Sequence, residues 1–295
     1  MGWWLREMGA SVVEVETDFR EVPSIDMVAA AVHEHPDAEM LCVVHVETPC
    51  GTVSPLQGIG AICREAGIVS LVDAVASLGG VDVRPDDWGL DLCVSAPEKC
   101  LGGPTGLSLI AVSARAWGLI ARNDRAPRAS FRSILDWKDK WVDGDDFPYT
   151  PSIADVNGAL AACEGVVEEG LDVVLARHAT AARATRAGVR AMGLELWPRR
   201  ETDMAHSVTA IALPDGVTER AVIDRTRRRS GVLISGSEGA GDLVRIGHMG
   251  ETARSLYPLV GLAALGQALL DLGVRVDLGA GLAAASSLLG EGPAT

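Results

Sequence analysis

The chain has 295 residues, 48% of them hydrophobic, and a formal charge of -14, which allows a large core and more than one domain and argues against a nucleic-acid backbone as partner. Its one basic run, "RTRRRS" from Arg225 to Ser230, reads as an exposed helix end. No stretch reaches the ~18 uninterrupted apolar residues of a membrane span, and "MGWWLREMGA" meets acid and base too early for a signal peptide, so a cytoplasmic protein without a membrane partner is expected.

In chain order, Trp3 and Trp4 open a segment expected to pack as an amphipathic helix. "SVVEV" from Ser11 predicts a strand, Ile25 to His35 a helix, "LCVVHVE" from Leu41 a strand, Pro55 to Ala66 a helix, and "VSLVDA" and "LCVSA" two further strands. Strands that are continuously apolar, not alternating, belong to a sheet covered on both faces. The first half therefore predicts an α/β layered domain with functional loops at the carboxyl ends of its strands. From Ser152 to Met192 the pattern turns helical with Gly170 as its break, giving a packing helix and a long connecting helix. "SVTAIALP", a helix from Thr218, "GVLISG", "DLVRIGHMG" and a helix through Leu272 make a smaller α+β unit, and the tail "GEGPAT" is expected to fray. The division expected is residues 1–169 for the large domain and 170–295 for the connecting helix and small domain. Six cysteines (Cys42, Cys50, Cys63, Cys93, Cys100, Cys163) show no CxxC pair, which suits reduced core thiols better than zinc or disulfides.

Three strand ends bring chemistry to one sheet edge. Asp73 closes "VSLVD", Thr48 follows the strand before "ETPCG", and Lys99 lies between "LCVSAPE" and the loop "CLGGPTG". Taken singly, each has a plain reading: a solvated loop charge for Lys99, a cap or loop carboxylate for Asp73, a turn hydroxyl for Thr48. Taken together, an amine, an acid and a hydroxyl at one rim can hold a pyridoxal ring. The amine forms a Schiff base with the aldehyde, the acid keeps the ring nitrogen protonated, and the hydroxyl bonds the ring oxygen.

"HVETPCGTVSPLQGIGAICREAGIVSLVDAVASLGGVDV", "SAPEKCLGGPTGLSLIAVS", "FPYTPS" and "RIGHMG", in that order, resemble the class V (fold type I) pyridoxal-phosphate aminotransferases, in the alanine-glyoxylate, serine-pyruvate and pyridoxamine-pyruvate group. The resemblance runs over essentially the whole chain. It implies transfer of an amino group from a small donor such as alanine or serine to pyruvate or glyoxylate, with pyridoxal 5'-phosphate as cofactor. It implies Lys99 as the Schiff-base lysine, Asp73 at the ring nitrogen, Val75 on a ring face and Thr48 at the ring hydroxyl. It implies Phe147 and Thr150 as the segment that reaches a neighbouring subunit's cofactor, hence a homodimer with shared sites. Arg245 matches the arginine that clamps the substrate carboxylate, a task suited to a planar fork; its plain reading is a surface ion pair. His45 and His248 are expected to be packed or capping histidines and stand outside the site.

Family members carry more chain before the segment that starts here, and the resemblance places there the turn that cradles the phosphate and the aromatic ring that stacks on the cofactor. Glu98, beside the lysine and expected at the cofactor, stands where a neutral phosphate ligand is common, and a carboxylate repels a phosphate dianion. An acid is easier to accommodate in the pyridoxamine-pyruvate branch, where the unphosphorylated vitamer is a substrate. "SGSEGAGD" offers no second arginine. Two alternatives stay open: that branch, and a non-catalytic remnant acting through a partner. A cysteine desulfurase would need a mobile-loop cysteine, and after Lys99 only Cys100 and Cys163 remain, both in segments expected to pack. A dinucleotide-binding fold would need a glycine fingerprint after the first strand, which "EVETDFREVP" lacks.

Overall fold

The structure is a computed structural model that describes residues 1–290 except Ser255; all of "GEGPAT" past Gly290 lies outside the described residues. The elements are α1 (Gly2–Glu7), α2 (Ile25–Glu34), β1 (Met40–Val44), β2 (Val46–Glu47), β3 (Thr52–Val53), α3 (Leu56–Ala66), β4 (Val69–Asp73), α4 (Pro85–Trp88), β5 (Leu92–Ser95), β6 (Leu109–Val112), α5 (Ala114–Ala121) and α6 (Ile134–Trp137). They continue with α7 (Ile153–Glu169), α8 (Leu171–Ala191), β7 (Val208–Ala212), α9 (Glu219–Ser230), β8 (Ser235–Gly236), β9 (Leu243–Gly247), α10 (Tyr257–Asp271) and α11 (Leu278–Gly290).

The first sheet has the order β1-β4-β5-β6, with the first three strands parallel and β6 antiparallel at the edge. Parallel neighbours need a crossover between them, and α3 supplies it for β1 and β4. The amphipathic pattern of α3 puts Leu56, Ile59 and Cys63 inside, and Gly67 stops the helix in the left-handed region at φ 73°. Register sets Val44, Asp73 and Val94 side by side, so the carboxyl ends of the three strands share one rim. The second sheet, β7-β9-β8, is antiparallel and packs with α8, α9, α10 and α11 around the largest apolar cluster, which includes Ile211, Val244, Leu262, Leu265 and Leu269. The basic run ends α9, with residues 227–230 exposed.

Two expectations near the start are corrected. "SVVEV" forms no strand: a strand exists through its ladder, and this segment has no partner among the described residues, leaving Val13 and Val15 exposed. It is tied down near its end, where the Arg20 Nε donates to the Trp197 carbonyl at 2.7 Å and Arg199 pairs with Asp18 and Glu21. Trp3 and Trp4 do not pack into a core either: α1 buries no residue, and the two rings meet each other edge to face at 4.6 Å while more than half exposed. "GVLISG" contributes only the two residues of β8, and α11, absent from the sequence expectation, packs along α8.

Candidate active site

The crevice is built at the rim shared by β1, β4 and β5. Asp73 ends β4, and the chain then turns so that the Val75 N–H donates to Asp73 Oδ1 at 3.0 Å. That bond orients the carboxylate and leaves Oδ2 without a partner among the described residues. The Asp73 carbonyl accepts the His45 N–H at 2.9 Å, and the Ala74 N–H reaches the Val94 carbonyl at 2.7 Å, so the rim is stitched past the formal strand ends.

Lys99 sits four residues beyond β5 in a tight loop, in which the Gly102 N–H donates to the Lys99 carbonyl at 3.1 Å and the Gly103 N–H to the Pro97 carbonyl at 2.8 Å. Lys99 is half-buried and forms no ion pair among the described residues, whereas Lys138 pairs with Asp143. Glu98 is half-buried too, and its Oε2 is fully buried with no hydrogen-bond partner. Thr48 is half-buried with a hydroxyl that no described residue engages.

"RIGHMG" comes to the lysine loop through Gly250. A Cβ there would stand 3.0 Å from the Gly102 Cα and 3.2 Å from the Lys99 carbonyl, and its φ of +56° lies in the left-handed region, so this contact requires glycine. Two adjacent residues of α8 hold both backbone polar groups of Gly250. His178 Nε2 accepts the Gly250 N–H at 3.1 Å, and Arg177 Nη1 donates to the Gly250 carbonyl at 2.7 Å. His178 is buried, its Nδ1 lies 2.7 Å from the Val174 carbonyl, and burial lowers its pKa to about 4, so it is the neutral imidazole with its proton on Nδ1. Arg177 is itself fixed by Glu169, which also binds Arg254. Neither α8 residue carried a motif signal; only the glycine in "RIGHMG" pointed here.

Arg245 lies on β9 in register with Ala210 of β7. Ala210 touches the turn that follows β2, because a Cβ on Gly51 would stand 2.9 Å from the Ala210 Cβ, and Cys50 packs with Ala210, Ala240 and Leu243. The Thr48 turn, Arg245 and the loop before β9 therefore meet in one place. Arg245 is only 7% exposed, its Nη2 donates to Glu238 Oε1 at 2.6 Å, and its Nε is buried without a partner. Glu47, absent from the sequence reading, is half-buried nearby; burial and then the Asp73 charge raise its pKa, with Glu238 pushing the same way and Arg245 opposing.

The remaining expected residues are placed as follows. Val75 is half-buried beside Asp73. Phe147 and Thr150 are exposed, and within this chain they make no hydrogen bond to the crevice; the Phe147 ring packs on Trp141 at 4.1 Å. His248 is buried with Nε2 2.9 Å from Thr209 Oγ1, and burial lowers its pKa to about 3. His45 is buried with a pKa lowered to about 4 for the same reason. Both are core histidines, as expected. Cys100, beside the lysine, is buried and its thiol is pushed up by that burial to about 12, which disfavours a thiolate nucleophile at that position.

An unpaired amine, a carboxylate with one oriented and one open oxygen, and an unclaimed hydroxyl fit the aldehyde, nitrogen and hydroxyl of a pyridoxal ring. Beside Lys99 the chain carries a carboxyl group, Glu98, whose buried oxygen has no partner, and not a cation that would receive a phosphate.

Residues 4–258 match the family model of the class V aminotransferases. The chain is 40% identical over 98% of its length to the pyridoxamine–pyruvate transaminase of Mesorhizobium japonicum, of which it covers 74%. It is 30% identical over 96% of its length to the serine–glyoxylate aminotransferase of Arabidopsis thaliana, covering 72% of that chain. The crystal structure of the pyridoxamine–pyruvate aminotransferase from Mesorhizobium loti superposes with a TM-score of 0.94 at 40% identity, over 98% of this chain and 74% of that one.

Proposed function

We propose, from the premise that this chain belongs to the class V aminotransferases, that its amino donor is pyridoxamine and its acceptor pyruvate or a similarly small 2-oxo acid. The fold is that of the fold type I enzymes, the family's cofactor is pyridoxal 5'-phosphate, and the chain is an aminotransferase acting toward 2-oxo acids. The finer reading rests on Glu98. A phosphate dianion set against its buried, unpartnered oxygen would be repelled unless one of them took a proton. The hydroxymethyl group of an unphosphorylated ring would instead donate a hydrogen bond to it. The relative with 40% identity is named for that reaction.

When bound, the ring supplies an electron sink for the bond broken at the carbon that carries the amine. Lys99 would hold the ring at its aldehyde carbon and, once released, carry the proton between the two carbons as general base and acid. Asp73, through its open oxygen, would hold the proton on the ring nitrogen. Thr48 would bind the ring hydroxyl, Val75 would pack on a ring face, and Arg245 would bind the 2-oxo acid's carboxylate as a fork.

A homodimer completes the reading. Ile153, Leu160 and Val167 are exposed at seven-residue spacing on one face of α7, and Phe131, Trp141 and Phe147 are exposed nearby in sequence. An apolar face of this kind suits a second copy of the chain, to which Phe147 and Thr150 would contribute. The division into residues 1–169 and 170–295 is supported by the confinement of the largest core cluster to the chain from Ala184 onward. No helix among the described residues is long and apolar enough to cross a membrane; the cytoplasmic assignment is supported by six free thiols.

The test compares pyridoxamine with pyridoxamine 5'-phosphate, each with pyruvate, following pyridoxal or its phosphate by absorbance and alanine by chromatography. The unphosphorylated donor should give the higher kcat/KM by about tenfold or more, the scale of one charge repulsion removed. The reverse order would favour a phosphate-retaining enzyme that takes serine or alanine, the reading that the Arabidopsis relative supports. No turnover with either donor would favour the non-catalytic remnant.

A further inference from the structure

We propose that Glu238 is the gate and charge filter of the carboxylate site: it occupies Arg245 while the crevice is empty, yields it to the substrate's carboxylate, and disfavours substrates with a second carboxylate. The inference rests on the reading of Arg245 as the residue that binds the 2-oxo acid.

The contact as it stands is incomplete. Glu238 takes only Nη2 of Arg245, at 2.6 Å, and the neighbouring Nε remains buried and unpartnered. A buried donor without an acceptor is costly, so the fork is set to accept a ligand that satisfies both nitrogens. A small carboxylate entering from the crevice can do that, and Glu238 from its own loop does not. Nothing else holds the Glu238 side chain: it is 67% exposed and makes no other ion pair among the described residues.

The backbone carrying it is built to present this one side chain. Glu238 has φ +53°, a left-handed conformation that is unfavourable for a glutamate and is maintained by what surrounds it. The Ser237 N–H before it donates to Glu219 Oε2 at 2.7 Å, and Ala240 after it packs with Cys50 and Leu243. The loop is thus anchored on both sides, and release of Arg245 needs only rotation of the Glu238 side chain. Once displaced, the carboxylate stays at the mouth of the site with Glu47 close by, so a substrate bearing a second carboxylate meets two negative groups where pyruvate or glyoxylate meets none.

The experiment uses the cofactor-free protein and two probes that cannot react, propionate and glutarate, titrated by calorimetry. Glu238→Gln should tighten propionate binding about three- to tenfold by removing the internal competitor, and glutarate binding by a larger factor. Glu238→Asp is too short to hold Nη2 from the same backbone but keeps the charge, so it should tighten propionate and leave glutarate weak. If both variants bind propionate within twofold of wild type while Arg245→Ala loses it, the gate is wrong and the clamp stands. If Arg245→Ala binds propionate as wild type does, the clamp reading itself fails. If glutarate gains no more than propionate in Glu238→Gln, the filter half of the proposal is overturned.

Discussion

The rim around Lys99 and the aromatic segment from Phe131 to Thr150 are built by opposite means. At the rim, backbone hydrogen bonds, strand register and one glycine contact fix every group, and the side chains left over are polar and unpaired. In the aromatic segment, Phe131 stacks on Tyr149 at 4.9 Å, Trp137 meets Trp141 at 6.2 Å, and much of the apolar surface still faces outward. A rim of the first kind is held in place by its own chain and leaves polar groups free for a ligand. A segment of the second kind has apolar area to bury, which is the condition for a second chain.

The sharpest break in that contrast is removal of the amine. Lys99→Ala should abolish turnover and the visible absorbance that the wild-type protein acquires with pyridoxal, because the chain's other lysines, Lys138 and Lys140, lie in the aromatic segment. Borohydride labelling of either of those in the loaded wild-type protein would show that the rim is not the site. Asp73→Asn comes next, with turnover lowered about a hundredfold or more and ring affinity changed much less, the pattern expected when a group acts on charge that develops during reaction. Equal losses in binding and turnover would make Asp73 a structural carboxylate.

The two regions also differ in how much the sequence disclosed. The rim positions of Asp73, Lys99 and Thr48 are legible because strand ends follow from apolar runs, and a polar residue after such a run has few places to go. Gly250 was legible as part of a motif, but its holders Arg177 and His178 were not, since a helix residue that acts 72 positions away in sequence leaves no periodic trace. Glu238 is not legible, since one carboxylate in the loop "SGSEGAGD" carries no motif and its contact with Arg245 exists only in the fold. "SVVEV" misled for a related reason: β-propensity describes a residue's fitness for a ladder and says nothing of whether a neighbouring strand exists.

A smaller effect separates the regions by pH. Burial holds His45 and His178 at about 4 and His248 at about 3 in the folded protein, against about 6.5 in an unfolded chain. Between those values the unfolded chain binds more protons, so stability is fully present above pH 6.5 and falls as the pH drops. Each unit costs about 1.4 kcal/mol for each histidine that stays neutral. Thermal unfolding from pH 7 to 5 should show this loss, and His178→Gln should reduce the slope while weakening pyridoxal binding through Gly250 and the lysine loop. A slope unchanged in that variant would mean that His178 titrates normally and does not hold the Gly250 peptide as a neutral acceptor.

The smallest expected effect on the crevice comes from the aromatic segment and the apolar face of α7, and it tests whether the contrast reflects assembly. Val167 is 78% exposed on α7, with Leu160 and Ile153 on the same face. If a second copy covers that face, Val167→Lys buries a charge without a partner and should weaken the dimer by roughly tenfold to a hundredfold, on the scale of a single interface anchor. Sedimentation should then show twice the chain mass for wild type and a concentration-dependent mixture for the variant. Phe147→Ala is the complementary change: it should leave the mass doubled and lower pyridoxal affinity only a few-fold, since the ring would act at the neighbour's site without taking part in the chemistry. Mixing Phe147→Ala with Lys99→Ala distinguishes this from an effect within one chain. In a mixed dimer with shared sites, the crevice that keeps its own Lys99 receives an intact Phe147 from its partner, so in an equal mixture about half of the Lys99-bearing crevices should recover wild-type affinity for pyridoxal, as random pairing dictates. No recovery, from two variants that each retain the wild-type mass, would show that Phe147 serves only its own chain.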